Sequence, residues 1–263
     1  VKTINQLTRN DIKDIKVLCL DCDGVTVEKG TYIQENKNEL IVRTKTLTDQ
    51  FSQKLNLLKK RFLIIFSSGR TTLYLTRMYE KVLWDNVILQ GENGIISIYE
   101  GKIFQSAEYS LRLLKIINKI KNDIRQLSQT NNQISGFEPK QFLLTVHCQS
   151  EVSLIRKIIQ KHDIQNEFYC LWNNEAYDIA PKVFNKGIGL KFIVDKLNLK
   201  MKNVLALGND LNDQEMVEWA KIGITTDPDG YIKKANFTTN QKLHLGGEEV
   251  IDKLLTLTNL VSS

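Results

Sequence analysis

The chain is poor in the residues that punctuate or cross-link a fold. It has only 3 prolines and 14 glycines among 263 residues, which excludes collagen-like, proline-rich and flexible-linker architectures. No apolar run approaches the ~18–20 residues that cross a bilayer, so no membrane partner is expected. The opening residues, Val1-Lys2-Thr3-Ile4-Asn5, lack the apolar stretch of a secretory leader, and a cytoplasmic location is the expectation. There are 4 cysteines. Cys19 and Cys22 form a C-x-x-C, but they lie in Val17-Leu18-Cys19-Leu20-Asp21-Cys22, which reads as a buried strand. Cys148 and Cys170 supply no second pair, so neither a metal site nor a disulfide is expected, and free thiols suit a reducing compartment. Blocks of one charge are missing too. The 36 basic and 30 acidic residues leave a net charge of +6, with the lysines scattered. That pattern fits a solvated surface, and without a zinc-finger or stacking-aromatic pattern no nucleic-acid partner is expected.

What is present is a globular composition, 42% apolar and 25% charged, long enough for one large domain or two small ones. Apolar runs alternate with helical stretches. Ile15 to Leu20, Phe62 to Phe66, Val87 to Leu89, Val204 to Leu207 and Ile222 to Ile224 read as strands apolar on both faces. Between them lie helical patterns with Phe51, Leu55 and Leu58 on one face behind an N-cap at Thr48 or Asp49, and others running through Tyr79, over Lys186 to Leu197 and through Trp219. Buried strands alternating with helices predict an α/β fold: a Rossmann-like parallel sheet with helices on both faces.

Two stretches break this rhythm. Residues 26–46 read as a β-hairpin beside the first strand, turning at Glu28-Lys29-Gly30. Residues 95–180 read as an inserted α+β domain: a hairpin over 95–104, a long helix over 107–127, a strand over 141–147, a helix over 151–161, and strands over 167–171 and 176–179. The core is then expected over 1–94 and 181–263.

In parallel sheets, ligands bind beyond the carboxyl ends of the strands. There the sequence offers Asp21, Asp23 and Gly24; then Ser68, Gly69 and Arg70; then Gly208, Asn209, Asp210, Asn212 and Asp213, with Lys186-Gly187 opening a helix that would abut the same edge. In an extended Asp-x-Asp both acids share a face. Carboxylates, a lysine and small donors gathered at one point suit phosphoryl transfer. A divalent cation bridges carboxylate and phosphate, donors neutralise the phosphate oxygens, and a second carboxylate moves protons.

Asp21-Cys22-Asp23-Gly24, Ser67-Ser68-Gly69-Arg70, Lys186-Gly187 and Gly208-Asn209-Asp210-Leu211-Asn212-Asp213 resemble the four ordered motifs of the haloacid dehalogenase-like phosphatase superfamily. The resemblance implies a small phosphorylated substrate and a Mg²⁺ cofactor. It implies Asp21 as nucleophile forming an aspartyl-phosphate, and Asp23 as general acid/base with its carbonyl on the metal. Ser68, Gly69, Arg70, Lys186 and Asn212 would bind substrate. The metal would be held by Asp21, Asp23, Asn209 or Asp210, and Asp213. Most members carry aspartate at the place of Asn209, which here removes one charge from the metal shell.

The insertion sits where the superfamily's C2-type caps occur. Gly91-Glu92-Asn93-Gly94 before it and Asp178-Ile179-Ala180-Pro181 after it resemble the borders of subfamily IIB caps. Gly30 to Asn36, Gln90-Gly91 and Gly246-Gly247-Glu248 resemble octulosonate- and nonulosonate-phosphate phosphatases. Those enzymes usually lack a cap and carry Arg-Asp-Gly where this chain has Thr48-Asp49-Gln50. The implied substrate is a sugar phosphate or sugar-acid phosphate. A phosphomutase using the same intermediate, or a non-catalytic phosphate-ligand-binding homologue, are the alternatives. His147, inside an apolar strand, reads as a structural histidine.

Overall fold

The computed structural model describes residues 1–36, 38–227 and 230–260. Along the chain, β1 (Lys2–Thr3) and α1 (Arg9–Ile12) precede β2 (Val17–Asp21), β3 (Thr31–Glu35), β4 (Leu40–Thr44), α2 (Asp49–Leu58), β5 (Leu63–Ser67) and α3 (Thr72–Met78). Next come β6 (Val87–Gly91), β7 (Ile96–Tyr99), β8 (Lys102–Gln105), α4 (Leu111–Ser128), β9 (Ile134–Glu138), β10 (Leu144–Cys148), α5 (Ser153–His162), β11 (Phe168–Trp172) and β12 (Ala176–Pro181). The chain continues with α6 (Lys186–Lys196), β13 (Val204–Gly208), α7 (Gln214–Trp219), β14 (Ile222–Thr225), β15 (Phe237–Thr238) and α8 (Leu243–Thr258).

The described residues divide into two compact units, one of residues 1–29, 45–106 and 185–263, the other of residues 30–44 and 107–184. The first unit holds a nine-stranded sheet in the order β1-β15-β14-β13-β2-β5-β6-β7-β8. Its strands run parallel from β1 to β6, and β7 and β8 add antiparallel. Every residue of β2 and β13 is buried. Leu18, Leu20, Phe66 and Leu207 pack on one face with Phe51, Leu55, Leu75 and Leu254 from α2, α3 and α8. Val17, Cys19, Ile65 and Ala206 pack on the other with Leu190, Ile193, Met216 and Val217 from α6 and α7. This is the expected α/β sheet. Helix α2 begins at the expected cap, the Thr48 side chain accepting the Phe51 N–H. Close approach explains Gly247 of α8: a Cβ there would lie 1.8 Å from the Val25 carbonyl oxygen, so only glycine lets the helix reach the loop after β2.

The second unit contains a four-stranded antiparallel sheet, β11-β12-β10-β9. Helices α4 and α5 cover one face, where Ile120, Ile124, Val146, Ile155, Tyr177 and Ile179 form its core. Strand β9 is absent from the sequence reading. The hairpin β3–β4 belongs to this unit rather than beside β2. Glu35 Oε2 accepts the Phe137 N–H at 3.0 Å and Glu175 Oε2 accepts the Thr31 N–H at 3.2 Å. Gly136 makes room for this, since a Cβ there would lie 2.7 Å from Glu35 Cβ. The hairpin reverses not at Glu28-Lys29-Gly30 but at Asn36, whose Oδ1 accepts the N–H groups of Asn38 at 3.0 Å and Glu39 at 2.9 Å.

The boundaries expected for the insertion also differ. The hairpin over 95–104 extends the main sheet as β7 and β8, because β6 would otherwise leave its edge unpaired. The inserted part of the second unit therefore starts at residue 107 and ends at 184, and residues 30–44 complete that unit. All four cysteines are free. Burial pushes the thiols of Cys19 and Cys22 up, so this C-x-x-C presents no reactive thiolate. Among the described residues, no helix is long and apolar enough to cross a membrane.

Candidate active site

Strand order decides where the site forms. From β2 the sheet grows to one side through β5 and to the other through β13, which makes the carboxyl end of β2 a topological switch point. Asp21 ends β2 and pairs in register with Ser67, which ends β5; Gly208 ends β13. The loops that follow converge there because their strands do.

At the centre lies a buried triad. Lys186, the first residue of α6, is 1% exposed, and its ammonium donates to Asp21 Oδ1 at 2.5 Å and Asp213 Oδ1 at 2.6 Å. Its place is fixed by Asn185, whose side chain caps α6 by accepting the Ile188 N–H at 2.9 Å. Asp213 is wholly buried, and its second oxygen accepts the N–H groups of Asn209 at 2.9 Å and Asp210 at 3.2 Å. The loop after β13 is thus folded around the Asp213 carboxylate. Burial, and next the Asp213 charge, push the Asp21 carboxyl up to about 7 against the pull of Lys186. Burial works against the Lys186 ammonium, but the two carboxylates outweigh it and raise its pKa. One lysine between two carboxylates leaves a net negative charge that a cation or an acidic proton can balance.

Asp23 and Arg70 form a second pair. The Arg70 guanidinium donates from Nε to Asp23 Oδ2 at 2.7 Å and from a terminal nitrogen to Oδ1 at 2.6 Å. Ser68 is buried, its Oγ accepting the Arg70 N–H at 3.2 Å and its N–H donating to the Gln90 carbonyl at 2.9 Å. Gly69 lies between them. Asn209 is buried, with Nδ2 at 3.4 Å from the Asp23 carbonyl oxygen and 3.5 Å from that of Gly24. Asp210 is turned elsewhere: one oxygen accepts the Leu211 N–H at 2.7 Å and the other lies 3.7 Å from the Lys29 ammonium. Asn212 Nδ2 lies 3.5 Å from Asn93 Oδ1.

Three features escape the sequence reading. Lys29 reaches the loop after β13 through Asp210. Glu92 and Asn93, buried and left-handed at φ of 50° and 55°, wrap the loop after β5, the Glu92 N–H donating to the Arg70 carbonyl at 2.8 Å and the Asn93 N–H to the Ser68 carbonyl at 2.9 Å. Gln90 ties two strands, accepting from Ser67 Oγ and donating to Ser97 Oγ, both at 3.0 Å. The signal for the second feature was the Glu-Asn-Gly run, since asparagine and glycine tolerate left-handed backbone best.

Residues 10–242 match the family model described as haloacid dehalogenase-like hydrolase. The chain belongs to the haloacid dehalogenase-like hydrolase family. Among its relatives is a Buchnera aphidicola protein named "Putative phosphatase", 23% identical over 84% of this chain and 88% of that one. A Streptococcus pyogenes protein named as a bifunctional phosphatase/peptidyl-prolyl cis-trans isomerase is 33% identical over 72 residues, a match spanning 27% of this chain and 15% of that protein. The fold is similar to that of the C. albicans trehalose-6-phosphate phosphatase C-terminal domain, with a TM-score of 0.69 at 17% identity over 96% of both chains.

Proposed function

We propose that this haloacid dehalogenase-like phosphatase is a Mg²⁺-dependent phosphomonoesterase that hydrolyses a small sugar phosphate or sugar-acid phosphate through an aspartyl-phosphate on Asp21. The observation that carries the reading is the Asp21–Lys186–Asp213 triad at the switch point, with Asp23 two residues beyond the nucleophile. In this mechanism an Asp21 oxygen attacks phosphorus and the leaving oxygen takes a proton from Asp23. Water then attacks the aspartyl-phosphate, giving its proton to Asp23 and releasing inorganic phosphate. Lys186, the Ser68 hydroxyl, the Gly69 N–H and Asn212 balance the phosphoryl oxygens.

The donor set suits Mg²⁺. The Asp21 carboxylate, the Asp23 carbonyl and the Asn209 side chain, set 3.4 Å from that carbonyl, are all oxygen-bearing. One carboxylate completed by neutral oxygens and water is a Mg²⁺ arrangement. Ligation by Asn209 asks only that its amide turn over, bringing Oδ1 where Nδ2 now points. When bound, the ion supplies charge for the incoming phosphate.

The second unit is read as a C2-type cap that governs the leaving group. The test is phosphate release from a panel of sugar and sugar-acid phosphates with Mg²⁺, in wild type and Asp21→Asn. Release by wild type alone supports the reading. Isomerisation without release marks a phosphomutase, and binding without turnover marks a non-catalytic homologue.

A further inference from the structure

His147 is 6% exposed and reads from sequence as a structural histidine, yet half of its hydrogen-bonding capacity is unused. Its Nε2 lies 3.2 Å from Glu138 Oε2. A carboxylate accepts, so in the neutral ring the tautomer that pairs with Glu138 carries its proton on Nε2 and leaves Nδ1 as an acceptor. Among the described residues nothing donates to Nδ1. The ring instead lines a cavity of about 510 Å³ within the second unit, between β3 and the edge of the four-stranded sheet. The register explains the space. His147 stands between Gly136 on β9 and Ala176 on β12, two residues too small to cover it.

The same cavity is lined by Tyr32, Ser135, Gln149, Asn174 and Glu175. The side chains of Ser135, Gln149 and Asn174 make no hydrogen bond to other described residues. Among the described residues no lysine or arginine lines the cavity, which argues against a phosphate-bearing ligand. Of its two carboxylates, Glu35 lies 3.8 Å from Arg125, which weakens the pull on a cation. The half-exposed Tyr32 ring, with the Arg43 guanidinium carbon 5.9 Å from its centroid, offers an aromatic surface, and the volume falls in the ~300–1,000 Å³ range of small-molecule sites. Carboxamides, a hydroxyl and an imidazole acceptor around one aromatic ring match a ring that is apolar on its faces and hydroxylated at its rim.

We propose that this cavity is a binding site for a neutral, polyhydroxylated ligand, a free sugar, with His147 Nδ1 accepting from one of its hydroxyls. The proposal is independent of the phosphatase reading, because its probes carry no phosphate.

The experiment uses the full chain and follows the ring C–H resonances of its 3 histidines by NMR during titration with glucose, trehalose and, as a cationic contrast, spermidine. Single substitutions assign the resonances. The expected result is a saturable shift of the His147 resonance with a sugar while His162 and His244 stay fixed. Affinity, read by isothermal titration calorimetry because His147→Ala removes the reporting ring, should weaken roughly tenfold in His147→Ala and in Asn174→Gly, the scale of one or two lost hydrogen bonds. Asn174→Gly keeps the left-handed backbone at φ 71° and carries the test if His147→Ala does not fold. His162→Ala, which removes a residue paired with Asp123, should bind like wild type. No saturable shift with either sugar, equal affinity in the two cavity variants, or a response to spermidine alone overturns the proposal.

Discussion

Both carboxylate oxygens of Asp23 are held by the Arg70 guanidinium, at 2.6 and 2.7 Å. A planar fork fixes the plane of the carboxylate as a point charge cannot. The sequence alone suggested that Arg70 touches substrate; the structure turns it to the acid two residues after Asp21. On the proposed mechanism Arg70 would act by aiming Asp23, and the pair would have to loosen for an Asp23 oxygen to pass a proton.

Arg70→Lys keeps the charge and loses the fork. It should fold normally and lower kcat by about 10- to 100-fold with little change in KM, a part of the ~10²–10⁴-fold that proton transfer contributes. The decisive readout is a series of aryl phosphates. The loss should grow as the leaving phenol becomes more basic, as it should for Asp23→Asn. A rise in KM alone, or the same loss across the series, assigns Arg70 to substrate binding instead.

Asp21→Asn should abolish phosphate release, because an amide does not attack phosphorus, while circular dichroism stays native. Its effect on stability has a defined pH dependence. The ordinary carboxyl value is 3.8 and the folded one is raised to about 7. Folding therefore favours the protonated form, and the wild type loses stability as pH climbs from about 4 to about 7. Without metal, Asp21→Asn should gain on the wild type across that window and hold the gain above it. Urea midpoints at pH 4, 6 and 8 measure this. A variant that falls behind as pH rises contradicts the assigned shift.

The parts of the fold legible in sequence were those dictated by burial on both faces. Val17-Leu18-Cys19-Leu20, Phe62 to Phe66 and Val204 to Leu207 are unbroken apolar runs because parallel strands have no wet side, and the acids just beyond them mark the sheet edge. Strand β9, Ile134-Ser135-Gly136-Phe137-Glu138, was not legible. It carries a central glycine and two large apolar residues, and its pairing with β10 supplies what its composition does not. The allegiance of the hairpin β3–β4 was hidden for another reason. It rests on Glu35 with Phe137 and Thr31 with Glu175, 102 and 144 residues apart, and no local pattern encodes such pairs. The Asp23–Arg70 pair, 47 residues apart, was invisible for the same reason, although each residue was singled out.

Lys186→Met should cost stability as well as activity. The apolar chain fits the buried space but leaves Asp21 and Asp213 facing one another without the ammonium that now lies 2.5 and 2.6 Å from them. Removing one partner of a buried ionic cluster costs about 3–5 kcal/mol. Denaturant unfolding without metal should show that deficit at neutral pH and a smaller one in acid, where protonating one carboxyl relieves the repulsion. A Lys186→Met protein as stable as wild type at pH 7 would mean that the triad is not the buried ionic cluster described.

The residue that serves the metal in the loop after β13 should be Asn209 and not Asp210. Asn209 is buried against the Asp23 and Gly24 carbonyls, while the Asp210 carboxylate caps the turn at Leu211 and faces Lys29. Asn209→Asp adds a charge beside Asp21 and should tighten Mg²⁺ binding about tenfold or more, read as a lower Mg²⁺ concentration for half-maximal phosphate release and by calorimetry. The same variant should be less stable than wild type without metal, because Asp21 and the new carboxylate then repel across a buried site. Asn209→Ala should raise the Mg²⁺ requirement. Asp210→Ala should leave it nearly unchanged and lower stability by about 1 kcal/mol for a lost cap. If Asp210→Ala raises the Mg²⁺ requirement more than Asn209→Ala does, the two residues exchange roles. Full activity after exhaustive chelation removes the metal from the mechanism.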